Sequence, residues 1–478
     1  MVNVKKNLGF QTLYQISIVI FPLMTSPYLS RVLGAEKLGI FSYLNSIVGY
    51  FSTFALLGVT NYGSRSIAEV KSDMAQRSMT FWELFWMKAG TSLLAIFTYI
   101  LYLIFICDSD IIVATVLIIT IFSTLFDINW LFFGLEQFQT TALRSLIIRT
   151  LCTISISVFV HNPGDLYKYV LIEVASTLIS NLYMWTKLRK VVNYTPVTLK
   201  GIGRHIKPNL LLFVPLAAMS VYHMMDKTML GIMCEKVEGG YYYNADKAVN
   251  IPIGILSGIT TVLLPNVTSL INKNDFDGFR KTFSLALYGM LTIAIYMALG
   301  ITSIAREFTP VFFGAGYDPC VLLMQWLSVV MAIKAVSFAI RYLYLVPMHK
   351  EKWYIFSVFV GAVVNLIANY ILIPMLGAMG AVAGTLLAEF SACFAQAFLV
   401  RKEVPVVRTI IKCIPHVLIG IIMLIIVRLT SRVFGISVIG LLLELCAGGS
   451  ICVILTLLYW KLTNSEVLPM LISVGKRR

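Results

Sequence analysis

Long apolar runs recur along the whole chain and are separated by short polar segments. An α-helix needs roughly 20 apolar residues to cross the hydrocarbon core of a bilayer. On this spacing the sequence predicts about fourteen membrane-spanning helices. They cover residues 9–33, 38–60, 81–106, 111–134, 143–160, 166–186, 208–233, 243–271, 283–304, 319–346, 353–375, 378–400, 409–428 and 435–460.

The positive charges between these spans predict their orientation. Cytoplasmic connections of membrane proteins carry an excess of Lys and Arg. With the N-terminus and its Lys5 and Lys6 inside the cell, roughly 25 of the 38 basic residues fall in inner segments. The predicted outer loop 107–110 carries Asp108 and Asp110 and no basic residue. Both termini are therefore predicted to lie in the cytoplasm, since one miscounted helix would destroy this asymmetry.

The basic segment after the sixth span predicts a boundary between two lobes. A weak internal repeat agrees with it, because a short glycine turn followed by aromatic residues occurs at 38–43 and again at 239–244. Internal repeats of helix bundles are common in secondary transporters. The predicted organisation is an N-lobe at 1–190, a cytoplasmic linker at 191–207, a C-lobe at 208–402, and two final helices with a basic tail at 403–478.

Composition excludes several classes of protein. Hydrophobic residues make up 58% of the chain and charged residues 13%, whereas soluble domains average roughly 45–50% and 25%. The net charge of +15 is explained by the basic inner segments, so no nucleic-acid partner is expected. Phosphate-binding loops, nucleophile elbows and zinc-protease motifs are absent from the sequence, and so no enzymatic activity is expected.

Basic residues inside the predicted spans are the main candidates for function. Lys334 lies near the midplane of an apolar run, where a charge needs a partner, a water-filled cavity or a ligand. Arg341 follows seven residues later, on the same helical face. The full set of candidate substrate-binding cations is Arg31, Arg65, Lys88, Arg149, Lys227, Lys247, Lys334 and Arg341.

These cations predict an anionic cargo that crosses the membrane in steps. Arg and Lys bind phosphate oxygens through charge-assisted hydrogen bonds, so a phosphate-bearing substrate fits the pattern. Two other interpretations remain open: cations near helix ends extend to the membrane surface, and cations deeper in the membrane form structural ion pairs. The candidate acids, for ion pairing or for coupling to a proton or cation, are Asp127, Glu173, Asp226 and Asp246, with Glu389 and Glu444 further along the chain.

Five segments resemble a known family of transporters. Residues 26–34 (SPYLSRVLG), 38–43 (LGIFSY) and 61–65 (NYGSR) resemble the N-terminal signature of Wzx-type polysaccharide repeat-unit flippases. Residues 225–231 (MDKTMLG) and 239–244 (GGYYYN) look like the start of that family's second half. Arg31 and Arg65 match motif positions, whereas Lys334 and Arg341 rest on the depth argument alone.

The resemblance implies an all-α integral membrane protein of the MOP superfamily, with a MATE-like fold of two six-helix lobes and two extra C-terminal helices. It implies translocation of an undecaprenyl-diphosphate-linked oligosaccharide across the bacterial cytoplasmic membrane by alternating access. The expected energy source is Na⁺, H⁺ or the membrane potential, with no other cofactor. The expected partners are the lipid-linked substrate, membrane lipids, a polysaccharide polymerase and glycosyltransferases.

Three rival functions differ from this expectation in testable ways. A MATE-type drug or cation exporter would favour a carboxylate in the first span, yet residues 8–33 contain none. A membrane glycosyltransferase or polymerase would need a sizeable outer loop with catalytic residues, and the predicted outer loops are short. A scaffold without transport activity would leave the buried cations without an evident use.

Overall fold

The computed structural model describes the backbone of residues 4–463 and the side chains of residues 20–214 and 216–463. All regular secondary structure in this part of the chain is helical, as the sequence predicts. The first eight helices are α1 (Val4–Leu56), α2 (Val59–Glu69), α3 (Met74–Phe105), α4 (Ile111–Leu125), α5 (Asn129–Gly134), α6 (Phe138–Phe159), α7 (Leu166–Leu188) and α8 (Leu199–Met233). The others are α9 (Lys236–Asn272), α10 (Phe276–Phe312), α11 (Pro319–Ile340), α12 (Glu351–Leu376), α13 (Ala378–Val400), α14 (Val406–Lys412), α15 (Ile414–Phe434) and α16 (Val438–Leu462).

The helices are long and apolar enough for a multi-pass membrane protein, which confirms that prediction. Eleven candidate spans are found in the described residues, or up to twelve if one bent pair counts as a span. One of them, Ile20–Glu69, is 50 residues long and includes the break in α1 described below. Helix α7 is not among them, and its polar residues lower its hydropathy. The count of fourteen spans and the cytoplasmic termini therefore stay predictions. The side chains of Lys5 and Lys6 and the tail beyond 463 lie outside the described residues.

Helix α1 is broken at Gly34. This residue has φ 78° and ψ 170°, a conformation that residues with a Cβ rarely adopt. The break separates an arm with two internal prolines, Pro22 and Pro27, from a second arm that continues to Leu56. The two spans predicted at 9–33 and 38–60 correspond to these arms.

Contacts divide the chain into two compact units, Met1–Gly240 and Tyr241–Arg478. Helix α8 belongs to the first unit and packs against α1, α2 and α3. The segment before α8 also belongs there, because Arg77 Nε donates to Val191 O at 2.8 Å and Trp82 Nε1 donates to Asn193 O at 2.9 Å. The predicted lobes were defined by the basic linker and the sequence repeat, whereas these units are defined by packing. The two divisions answer different questions, so the lobe boundary at 191–207 stays a prediction.

Two glycines allow a very close helix crossing within the first unit. A Cβ on Gly39 would lie 1.7 Å from Lys236 O, and a Cβ on Gly240 would lie 1.8 Å from Ala35 O. Neither position therefore accommodates a side chain. The glycines at 38–43 and 239–244, which carry the weak sequence repeat, meet here because only glycine lets two backbones approach this closely.

Each unit has its own apolar core. In the first unit, Phe81 stacks on Trp130 with ring centroids 5.4 Å apart, among buried residues of α2, α3, α5 and α7. In the second unit, Met423, Val427 and Cys452 form a smaller core between α15 and α16, against α10. Many large apolar side chains are exposed outside these cores, for example Phe105 and Leu462. Such a surface is typical of a protein that contacts lipid.

Candidate functional site

A break between α4 and α5 creates the first candidate site. The last carbonyls of a helix have no partner within it and carry the negative end of the helix dipole. Three side chains satisfy them here: Asn181 Nδ2 donates to Ser123 O at 3.0 Å, Trp185 Nε1 donates to Phe126 O at 2.9 Å, and Lys88 Nζ donates to Asp127 O. Lys88 is fully buried. Its ammonium group therefore caps a broken helix from inside the unit.

An arginine joins this arrangement through amide side chains. Asp127 Oδ1 accepts from Asn129 N at 2.9 Å and from Asn129 Nδ2 at 2.7 Å. Arg144 Nη1 donates to Asn129 Oδ1 at 2.9 Å and to Ser180 O at 3.1 Å. We call Lys88, Asp127, Asn129, Arg144 and Asn181 the α4 cluster. The cluster holds two cations and one carboxylate.

The second candidate site lies in the second unit, between α11 and α13. Lys334 Nζ is 3.5 Å from Glu389 Oε1, and the two side chains are 13% and 11% exposed. Helices α11 and α13 pack against each other along this region. The midplane cation predicted to need a partner, a cavity or a ligand thus has a carboxylate partner in this structure.

Arg341 lies where α11 changes its hydrogen-bonding pattern. Residues Arg341–Leu345 form a π-helical segment, in which Val346 N donates to Arg341 O at 3.0 Å. Such segments are rare and occur frequently at functional sites. The Arg341 guanidinium lies 3.9 Å from the ring centroid of Tyr354 and 4.6 Å from that of Tyr342, within cation–π range.

Glu389 also acts electrostatically on the Tyr354 hydroxyl, as Arg341 does. We call Lys334, Arg341, Tyr354 and Glu389 the α11 cluster. Like the α4 cluster, it holds two cations and one carboxylate.

The structure places the other predicted cations outside these clusters. Arg31 and Arg65 are exposed on α1 and α2. Arg149 and Glu173 both act electrostatically on the Cys152 thiol.

The predicted residues of α8 lie at least partly inside the protein, and those of α9 have local partners. Asp226 is buried and Lys227 is half-buried on α8. Asp246 accepts from Asn250 Nδ2, and Lys247 lies 5.4 Å from the ring centroid of Tyr243. Pairing between these four charged residues stays a prediction.

Sequence reasoning missed Arg144 and Glu83. Arg144 is the second residue of the span predicted at 143–160, and it is not among the candidate cations. Glu83 is buried and accepts from Arg204 Nη2 at 2.5 Å and pairs with His205 Nε2 at 3.0 Å. The sequence did contain a signal for Glu83: it is a carboxylate near the start of the span predicted at 81–106, and the linker predicted at 191–207 supplies basic residues that could pair with it.

The donors in both clusters suit anions rather than metal ions. In the described residues, no group of three or more His, Cys, Asp and Glu side chains is placed to hold a metal ion. The chemistry available in both clusters is therefore that of ammonium, guanidinium and amide donors, which bind oxyanions.

Comparison with known proteins gives a consistent result. The sequence profile of the family described as polysaccharide biosynthesis protein matches residues 4–271. A candidate O-antigen transporter of Shigella dysenteriae is 22% identical over 390 residues, covering 80% of this chain and 97% of the relative. One of Escherichia coli (strain K12) is 22% identical over 341 residues, covering 68% of this chain and 79% of the relative.

The fold is also found in solved structures. The lipid II flippase MurJ in an inward closed conformation has a TM-score of 0.65 and 17% identity, covering 92% of this chain and 98% of that one. An inward-facing multidrug MATE transporter of the MOP superfamily has a TM-score of 0.57 and 16% identity, covering 84% of this chain and 95% of that one. These likenesses confirm the expected MATE-like fold. From the match over more than half of its length, the chain belongs to the polysaccharide biosynthesis protein family.

Proposed function

We propose that this protein is a flippase that moves a lipid-linked oligosaccharide across the bacterial cytoplasmic membrane for the synthesis of a surface polysaccharide. The observation that carries the proposal is the match to the Shigella relative described as a candidate O-antigen transporter, because it spans 97% of that protein. The many apolar helices agree with a multi-pass transporter, and both relatives are described as candidate O-antigen transporters rather than as enzymes.

The two clusters supply groups suited to the diphosphate of such a substrate. Each cluster contains two cations and one carboxylate, so each retains a formal charge of about +1 inside an apolar bundle. Lys88 and Lys334 currently bind a carbonyl and a carboxylate, respectively. We propose that a phosphate oxygen competes for these donors during transport, together with the remaining predicted cations.

Alternating access is the mechanism that fits this fold. In the proposed cycle, the substrate's diphosphate binds the cations and its polyprenyl tail stays in lipid. Its sugars occupy a water-filled cavity within the helix bundle, which is part of the proposal. Rearrangement of the helix bundles then exposes the substrate to the opposite face. We propose Na⁺, H⁺ or the membrane potential as the driving force, and a polymerase and glycosyltransferases as functional partners.

Deletion of the gene in the source bacterium tests the function. We expect surface polysaccharide to disappear and polyprenyl-diphosphate-linked oligosaccharide to accumulate in the inner leaflet, measured by mass spectrometry and by protection from an external glycosidase. Normal polysaccharide in the deletion strain, together with increased sensitivity to cationic drugs, would contradict the proposal and support the MATE-type exporter.

The role of the α11 cluster is tested by complementing that strain with Lys334→Met. We expect a loss of surface polysaccharide that is larger than any fall in the level of protein in the membrane, which is measured alongside. Lys352→Met is the matched control, because Lys352 is exposed at the start of α12. Full activity of Lys334→Met would remove Lys334 from the proposed path. Loss of the protein itself would assign Lys334 to a structural ion pair.

A further inference from the structure

Three charged residues meet near one end of α10, α15 and α16, away from the α11 cluster. Glu307 is close to the last residue of α10, Arg428 is close to the last residue of α15, and Glu444 is close to the first residue of α16. At 1.5 Å per residue, each lies about 9 Å or less inside its helix end. The three helices pack against one another in the second unit.

Glu307 is fully engaged with hydrogen-bond donors. Arg428 Nη1 lies 3.3 Å from both oxygens of Glu307, and Ser431 Oγ donates to Oε1. Arg428 Nη2 also donates to Thr302 O at 3.3 Å. The positive charge of Arg428 is therefore paired with the Glu307 carboxylate, which is itself almost fully buried.

Glu444 is buried without any such partner. Its exposed fraction is 0%. Among the residues that the structure describes, neither of its carboxyl oxygens meets the geometric criteria for a hydrogen bond. The Ser431 hydroxyl also acts on Glu444, but it donates its hydrogen bond to Glu307 Oε1.

Two charged groups face Glu444, namely Glu307 from α10 and Arg428 from α15. Arg306 and Arg432, the neighbouring basic residues on the same two helices, are exposed. With Glu307 and Arg428 neutralising each other, an ionised Glu444 would carry an uncompensated charge of −1 inside the bundle.

An uncompensated buried carboxylate is strongly disfavoured, and such groups become neutral instead. Neutralisation by a hard metal ion requires several oxygen ligands, about six to eight for calcium. A proton requires only the carboxylate itself. The Glu307 and Ser431 oxygens, which already exchange a hydrogen bond with each other, leave few ligands for a metal ion.

We propose that Glu444 is a proton-binding site that holds the last two helices against α10. The Glu444 carboxylate takes one proton from the medium and becomes a neutral carboxylic acid, while Glu307 and Arg428 stay ionised. Release of that proton places a second negative charge beside Glu307. The packing of α15 and α16 on α10 then depends on proton concentration. The proposal is independent of the cargo that the protein carries.

Infrared difference spectroscopy of the full-length purified protein tests this directly. At neutral pH we expect the C=O stretching band of a protonated carboxylic acid in the wild type and in Glu351→Gln, but not in Glu444→Gln. Glu351 is the matched control because it is exposed at the start of α12. An unchanged band in Glu444→Gln, or no such band in the wild type, would overturn the proposal. So would a band that NaCl abolishes, because it would indicate a sodium site instead.

Thermal unfolding provides a second readout, since glutamine mimics the neutral carboxyl group. We expect the wild type and Glu444→Gln to melt together in mildly acidic buffer. As the pH is raised, the wild type melts progressively lower than the variant. Parallel melting curves across the whole pH range would contradict the proposal even if the variant folds normally.

Discussion

The α4 cluster and the α11 cluster stabilise a buried lysine in different ways. Lys88 donates to a main-chain carbonyl at the end of α4, with amide side chains linking it to Arg144. Lys334 faces a carboxylate on another helix, and the nearby Arg341 lies against tyrosine rings. The first cluster uses dipoles fixed by the fold, whereas the second uses a charge pair and π-electrons.

This difference predicts different behaviour when a partner is lost. A fixed carbonyl cannot move far, so Lys88 is held as part of the local backbone structure. A carboxylate on a flexible side chain can exchange partners, so Lys334 can donate to a phosphate in place of Glu389. On the proposed function, we therefore expect phosphate to displace Glu389 from Lys334 more readily than it displaces the Asp127 carbonyl from Lys88.

The largest expected loss in the free energy of unfolding comes from breaking the charge pair of Lys334 and Glu389. Glu389→Leu leaves the Lys334 ammonium without its carboxylate, which costs roughly 3–5 kcal/mol for a buried pair. The double variant Lys334→Met with Glu389→Leu removes both charges and should recover most of that loss. Thermal unfolding of the purified proteins measures both. If the double variant melts as low as Glu389→Leu, packing rather than charge pairing explains the effect.

The next largest loss of stability is expected when the contact between Lys88 and the Asp127 carbonyl at the helix end is removed. Lys88→Met leaves the Asp127 carbonyl buried without a donor, which costs roughly 1–3 kcal/mol. Unlike the charge pair, no second substitution at Asp127 should restore stability, because the acceptor is main chain. Lys200→Met serves as the control, since Lys200 is exposed in the same unit. Equal melting temperatures for Lys88→Met and the control would refute the capping role.

A smaller effect is expected within the α4 cluster. Asn181→Ala removes donors to Ser123 O and to Ser123 Oγ at 2.9 Å, while Lys88 and Trp185 still satisfy the neighbouring carbonyls. The expected loss is about 1–2 kcal/mol. The exposed Thr186 on the same helix gives the control Thr186→Ala. A loss as large as that of Lys88→Met would show that the amide, rather than the ammonium, maintains the helix end.

The smallest effect on stability concerns an ion pair at the start of α7, a helix that is not among the candidate spans of the structure. Asp165 Oδ1 lies 2.7 Å from Lys168 Nζ, and backbone N–H groups of His161 and Asn162 donate to its other oxygen. Lys168, with these two N–H groups, lowers the pKa of Asp165 to about 2.

Because this pKa lies below the usual value of about 3.9, the stabilisation is present above that pH and is lost as the pH falls towards 2. Asp165→Asn should melt slightly lower than the wild type at neutral pH, with the difference shrinking in acid. A difference that does not depend on pH would exclude the carboxylate as its source.

The sequence predicted which charged residues lie within apolar helices better than it predicted their neighbours. Apolar run lengths placed Lys88 and Lys334 inside spans, and both lie in candidate spans of the structure, Met74–Phe105 and Pro319–Leu345. They also identified Glu389 as an intramembrane acid. To predict that Lys334 pairs with Glu389, one must know which faces of α11 and α13 point towards each other. A hydropathy profile carries no information about these faces. Arg144 was missed because a span boundary is uncertain by about 2–4 residues.

The π-helical segment Arg341–Leu345 lies where α11 ends, and a turn at 346–349 follows it before α12 begins at Glu351. A hydrogen-bonded ring from i to i+5 holds one more residue than the ring of an α-helix. The last turn of this helix is therefore wider than an α-helical turn. Deleting one residue from 341–345 would tighten it and change the direction in which the chain leaves α11 towards α12.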